Sequence, residues 1–177
     1  MLIFVTSSFK GVVVLKLKMD SFQLEDTKGR LQRVALDSFE LVRSVLSPED
    51  QRRTGAFVRV FVSDSPMTGI RDYHELLAFQ VGFQTDYYKW NCYKNFSYEK
   101  ALRVMKNHVS FGHETSFESA NPEIGEYQGA ILLYPVDDLL IGDDLSIVIS
   151  SSGLPAMADE AVDLLIASSM GWGTKEN

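Results

Sequence analysis

The chain has 177 residues, 45% of them hydrophobic and 23% charged, with a formal net charge of −7. A chain of this length ordinarily forms one domain and buries about 70% of the surface its unfolded form exposes, so it needs no covalent staple. The acidic balance excludes binding of nucleic acid or of a membrane surface by bulk electrostatics. The single cysteine, Cys92, excludes an intramolecular disulfide and a cysteine-rich zinc site.

The apolar start, MLIFVTSSFKGVVVLKLKM, has no positive segment before it, and LIFV is too short for the core of a signal peptide. No run approaches about 18 apolar residues, so no membrane insertion is expected. With one cysteine, the expectation is a cytoplasmic protein.

Lys16 and Lys18 alternate with Leu15, Leu17 and Met19, which predicts a first strand with one wet face. SFQLEDTKGRLQ reads as polar and turn-rich. Leu31, Val34, Ala35, Ser38, Val42 and Val45 then recur at helical spacing, predicting a helix over residues 30–46 that Pro48 ends. GAFVRVFVSD, with Arg59 its only cation, reads as a central strand. After the loop SPMTGIRD, HELLAFQVGF makes a second strand antiparallel to it. DYYKWNCYKNF has no clean period. Ser97 then reads as the N-cap of a helix whose apolar face carries Ala101, Val104, Met105 and His108. GHETSFESANPEIGEY is a loop, QGAILLYPV and DLSIVIS are strands, and DDLLIGDD between them is a turn region. The last helix begins after Pro155 and turns Ala158, Ala161, Val162, Leu165 and Ile166 inward, with Ser151 or Ser152 as its cap. GWGTKEN reads as a frayed tail. The order β-α-β-β-α-β-β-α disfavours a doubly wound parallel sheet. It predicts an α+β fold: an antiparallel sheet of about five strands flanked by helices.

Ser152, Gly153, Leu154 and Pro155, followed after three residues by Asp159, resemble the strand-to-helix corner of the GlcG/HbpS-like proteins, the haem-degrading-domain superfamily. The likeness is to a branch of small cytosolic proteins whose corner reads Ser-Gly-Leu-Pro, three residues, Asp-His. Glu160 stands here where that branch carries His. The branch also has a strand opening on His-Gly-Gly. YQGAILLY keeps Gly129 and puts Tyr127 and Gln128 in the preceding places. Asp86, Trp90 and Lys94 match an Asp-rich step into a Trp and a basic stretch, HVSF matches the end of the branch's helix, and SFELVRSVL is similar to its first helix. The likeness spans about residues 12–168. It implies a profilin-like sheet and homo-oligomers, dimers that assemble into larger rings. The superfamily includes haem-binding and corrinoid-pathway members, and a fungal member linked to the delivery of tail-anchored membrane proteins, so a protein partner is a further expectation.

The candidate ligand-binding residues follow from these points. His108 and His113 are potential metal or haem ligands, and Tyr127 is a potential haem ligand. Gln128 and Gly129 open the family-like strand. Ser152, Gly153, Asp159 and Glu160 belong to the corner, whose helix N-terminus can hold an anion. No cofactor is demanded by the residues; haem is the one the resemblance raises. The pairs Asp137–Asp138 and Asp143–Asp144 read as solvated turn residues. Tyr87, Tyr88, Trp90, Tyr93 and Phe96, interleaved with Lys89 and Lys94, read as a subunit interface or core packing, with the wall of a ligand pocket as the alternative. No nucleophile–base pair, phosphate loop or metal motif stands out. The expectation is a non-enzymatic oligomeric binding protein, with a haem, tetrapyrrole or other small-molecule binder as the alternative.

Overall fold

The computed structural model describes residues 3–5, 13–15, 21–63, 73–135 and 145–173. Within them β3 (Gly55–Ser63) pairs antiparallel with β4 (His74–Gly82) on one side and β6 (Ser146–Ser152) on the other. β6 pairs with β5 (Ala130–Pro135), and β5 with the short β7 (Trp172–Gly173), giving the order β4-β3-β6-β5-β7. β3 and β6 are buried along their whole length because both faces of the sheet are covered.

Three helices supply the cover. α1 (Ser21–Ser44) and α3 (Ala156–Met170) lie on one face, where Leu31, Phe39, Val162 and Ile166 meet Val58, Val60, Ile147 and Ile149. α2 (Tyr87–Phe111) lies on the other, where Ala101, Val104 and Met105 meet Phe61, Leu132 and Val148. The two sets of strand residues alternate, as the two-residue period of a strand requires. Arg59 brings a charge to the α2 face. Its guanidinium sits 5.0 Å from the Phe57 ring centre and 5.2 Å from that of Tyr98, donates to Ser97 Oγ at 3.3 Å, and pairs with Glu75.

The antiparallel five-stranded sheet with flanking helices is the architecture the element order predicts. Its membership differs. The predicted first strand falls partly on β2 (Val13–Leu15), which pairs with β1 (Ile3–Val5) in a separate two-stranded sheet; Lys16, Leu17, Lys18 and Met19 lie outside the described residues. The fifth strand is β7, drawn from the segment read as a frayed tail: Trp172 is buried and pairs with Pro135. α1 begins at Ser21 rather than near residue 30, because Leu24 continues the Leu31–Ala35–Phe39–Val42 stripe two turns upstream. Val45 lies beyond the end of α1 and is exposed.

α2 starts ten residues before the predicted Ser97. Asp86 caps it, accepting from the N–H groups of Tyr88 at 2.9 Å and Lys89 at 3.2 Å. Ser97 is instead a buried mid-helix residue whose hydroxyl donates to the Lys94 carbonyl at 3.0 Å. The first turn of α2 exposes Tyr87, Tyr88 and Lys89 and sets Trp90 against Phe57, so it carries no apolar period to read. Asp137, Asp138, Asp143, Asp144 and the SPMTGIRD loop lie outside the described residues. Among the described residues, no helix is long and apolar enough to cross a membrane.

Candidate functional site

The corner after β6 brings both helical layers together at one end of the sheet. Gly153 passes so close to β3 that a Cβ there would lie 2.5 Å from the Gly55 carbonyl oxygen and 2.6 Å from Ala56 Cα. Only glycine permits that approach. Pro155 then heads α3, and no serine caps the helix, contrary to the expectation from Ser151 and Ser152. Both serines remain in β6, paired with Val58 and Phe57. Asp159 reaches back from the first turn instead: its Oδ1 accepts from the Leu154 N–H at 2.9 Å, and Gly153 N–H also donates to the carboxylate.

Asp159 is the centre of a buried charge cluster. Lys100, on α2 across the sheet, sends its ammonium past the start of β5. It donates to Asp159 Oδ2 at 2.8 Å and to the Ser151 carbonyl at 2.9 Å. Both residues are 2% exposed. The passage exists because residue 129 is glycine. Its φ is +119°, and a Cβ would stand 2.8 Å from both Lys100 Nζ and Asp159 Cβ. One turn along α3, Asp163 is also buried, its Oδ2 accepting from the Ser151 N–H at 3.2 Å while Oδ1 finds no partner among the described residues.

Two buried carboxyls share one ammonium, so they cannot both be ionised at low cost. Burial pushes the Asp159 carboxyl up, and Lys100 opposes this with its charge and hydrogen bond. Burial pushes Asp163 up much further, and the neighbouring Asp159 carboxylate adds to the effect. The geometry therefore assigns the charge to Asp159 and the proton to Asp163. Glu160 is half-buried and its carboxyl is also raised by burial, opposed by Lys100 and reinforced by Glu118.

Above the Lys100–Asp159 pair lies a cleft of about 290 Å³. Tyr93, Phe96 and Tyr127 wall it, with Phe96 and Tyr127 edge to face at 5.9 Å. Arg53 stands at its mouth, sharing its charge with Asp50 at 3.4 Å. Ser152, Gly153, Leu154, Pro155 and Ala156 form the remaining side, so the uncapped N-terminal end of α3 borders the cleft. Arg103 holds the facing loop from below. It donates to the Ser119 carbonyl at 2.9 Å and to the Tyr127 carbonyl, and it pairs with Glu99. Burial raises the Glu99 carboxyl, and Arg103 opposes this.

The structure thus brings Tyr127, Ser152, Gly153 and Asp159 to one cleft and sets Gly129 beneath it. Gln128 and Glu160 are half-buried neighbours in sequence that do not line it. His108 and His113 stand at the C-terminal end of α2 and beyond, away from the cleft lining: His108 Nδ1 is 3.1 Å from the His113 carbonyl oxygen, and the His113 ring lies against Phe111 at 5.5 Å. The aromatic group divides. Tyr87 and Tyr88 are exposed, Trp90 packs edge-on against Phe57 at 5.3 Å, and Tyr93 belongs to the cleft. Lys100, Asp163 and Arg53 were not foreseen, whereas Phe96, like Tyr93, falls under the pocket-wall alternative for the aromatic segment. Lys100 had a signal: it shares the stripe Ser97, Ala101, Val104, Met105, where a lysine is out of place unless paired. Among the described residues, no three His, Cys, Asp or Glu side chains converge as a metal site.

These features define an α+β protein with a ligand-sized, partly cationic and aromatic cleft at a strand-to-helix corner. No family model matches the chain, and no curated protein matches it. Among solved structures, the crystal structure of the Ybr137w protein is similar over 87% of this chain and 89% of that one, at 16% identity and a TM-score of 0.43. That likeness is too slight to say anything of this chain's chemistry.

Proposed function

We propose that the protein is a non-enzymatic, oligomeric cytoplasmic binding protein of the GlcG/HbpS-like kind, and that its ligand is a small anion with a flat apolar body. The observation that carries the ligand reading is the make-up of the corner cleft. Its floor ammonium is already matched by Asp159, so an entering anion meets the Arg53 guanidinium and the positive end of α3. Its flat part lies against the rings of Tyr93, Phe96 and Tyr127. A volume of about 290 Å³ is at the small end of the range for ligand sites.

Isothermal titration with a panel of planar aromatic carboxylates and phosphates tests this. The expected outcome is saturable, salt-sensitive binding that Arg53→Ala weakens about tenfold, a loss of about 1.4 kcal/mol. No heat from any member up to millimolar concentration defeats the reading. Haem is the second ligand class, supported by the placement of Tyr127 on the cleft, where its phenol is a candidate axial ligand. A saturable Soret shift that Tyr127→Phe abolishes supports it, and no shift removes it.

Assembly is supported by the exposed rings of Phe83, Tyr87 and Tyr88, the last two each 77% exposed, beside the edge strand β4. Light scattering on a sizing column should give a dimer or larger species that Tyr87→Asp with Tyr88→Asp dissociates. A monomer for the unaltered chain at micromolar concentration overturns this part.

A further inference from the structure

Arg53, the rings and the helix end are explained by an anionic ligand, but the presence of Lys100 among the lining residues is not. Lys100 and Asp159 both line the cleft, while the other described lysines near it, Lys89 and Lys94, are exposed. Lysines withdrawn from water serve as imine-forming nucleophiles when a neighbouring group can accept the ammonium proton. Here that acceptor is Asp159 Oδ2, 2.8 Å from Nζ.

We propose that Lys100 anchors an anionic aromatic aldehyde or ketone in the cleft as an imine. This rests on the cleft reading and names the reactive group of its ligand. Lys100 passes one proton to Asp159, and the freed lone pair adds to the carbonyl carbon. The carbonyl oxygen takes up that proton to give a carbinolamine, whose hydroxyl then leaves as water with a second proton from nitrogen as the C=N bond forms. The balance is ammonium plus carbonyl giving iminium plus water, with no oxidant or reductant. Asp159 ends as it began, a carboxylate beside a cation, so the buried negative charge keeps its counter-charge throughout. Burial, which raises the Asp159 carboxyl, eases the proton loan. Gly129 matters for the same reason as before: any side chain there would displace Nζ.

The probe is pyridoxal phosphate, a planar aromatic aldehyde bearing a phosphate, reduced in place with borohydride and mapped by peptide mass. Pyridoxine phosphate, which has an alcohol in place of the aldehyde, serves as the competitor. The expected result is an imine absorption band and one saturable reduced adduct on Lys100 of the unaltered chain, suppressed by pyridoxine phosphate. Tyr127→Ala should lower that adduct without changing the labelling of Lys89 or Lys94, and Lys100→Arg should lose it. The unaltered chain alone decides the matter if Lys100→Arg fails to fold. If pyridoxine phosphate binds in an Arg53-dependent way but no adduct maps to Lys100, or the adduct is not competed, the imine is overturned and the cleft reading stands. If neither compound binds and labelling falls only on exposed lysines, both fall.

Discussion

Replacing Lys100 by methionine removes the ammonium that Asp159 pairs with, while filling nearly the same space. Asp159 then keeps only the Leu154 and Gly153 N–H groups, inside a site where it is 2% exposed. Breaking a buried pair by removing one partner costs about 3–5 kcal/mol. A domain is stable by only about 5–15 kcal/mol, so this is a large share of the whole. The loss has an escape, since Asp159 can take up a proton, and the variant should therefore be less impaired at pH 5 than at pH 8. Adding Asp159→Asn removes the stranded charge. The double variant should recover most of the loss, leaving about 1 kcal/mol for the Ser151 carbonyl that lost its donor. Urea unfolding followed by far-ultraviolet circular dichroism reads this directly. With a slope of about 2 kcal/mol/M, the single variant should lower the midpoint by about 2 M. A shift below about 0.5 M, or a double variant no better than the single one, refutes the account of the pair.

Three further outcomes follow from the same geometry. Asp159, Asp163, Glu99 and Glu160 all have raised carboxyls, so the folded chain binds protons more tightly than the unfolded one. Stability should thus fall as pH rises above about 4, by up to about 1.4 kcal/mol per unit for each of the buried Asp159 and Asp163 in its window, while the partly exposed Glu99 and Glu160, screened by water, add less in the same direction. Asp163→Asn, which keeps the neutral shape, should flatten the fall between pH 5 and pH 8; a urea midpoint that rises over that range contradicts the assignment. Gly129→Ala combines a positive φ with a Cβ 2.8 Å from Lys100 Nζ, and should cost at least about 2 kcal/mol in the same unfolding assay. Arg103→Met frees the Ser119 and Tyr127 carbonyls, so limited proteolysis should cut the 112–129 loop before any other described segment; unchanged resistance there argues against Arg103 as its anchor.

The corner was legible because glycine and proline act on their own backbone. Gly153 and Pro155 mark a bend and a helix start without reference to anything distant. The final helix was legible from its period, but its buried stripe was read as apolar only. The stripe in fact includes Asp159 and Asp163, placed where two layers meet. The start of α2 was missed because Tyr87, Tyr88 and Lys89 are exposed and only Trp90 of the first turn reaches the sheet, so no apolar period marks it. Strand β7 was missed because two residues are too few to show alternation. The histidines drew notice as chemical types, yet they sit at the far end of α2 from the cleft.

The amino-acid order by itself determined the local parts: which segments alternate, which turn, where glycine must stand, and hence an antiparallel sheet with helices laid on it. These choices depend on contacts a few residues apart. Only the tertiary structure decided that Lys100 meets a carboxylate 59 residues later, at the corner where β6 gives way to α3. A buried charge is tolerable only beside its opposite, and that opposite is named by folding in space, not by position along the chain.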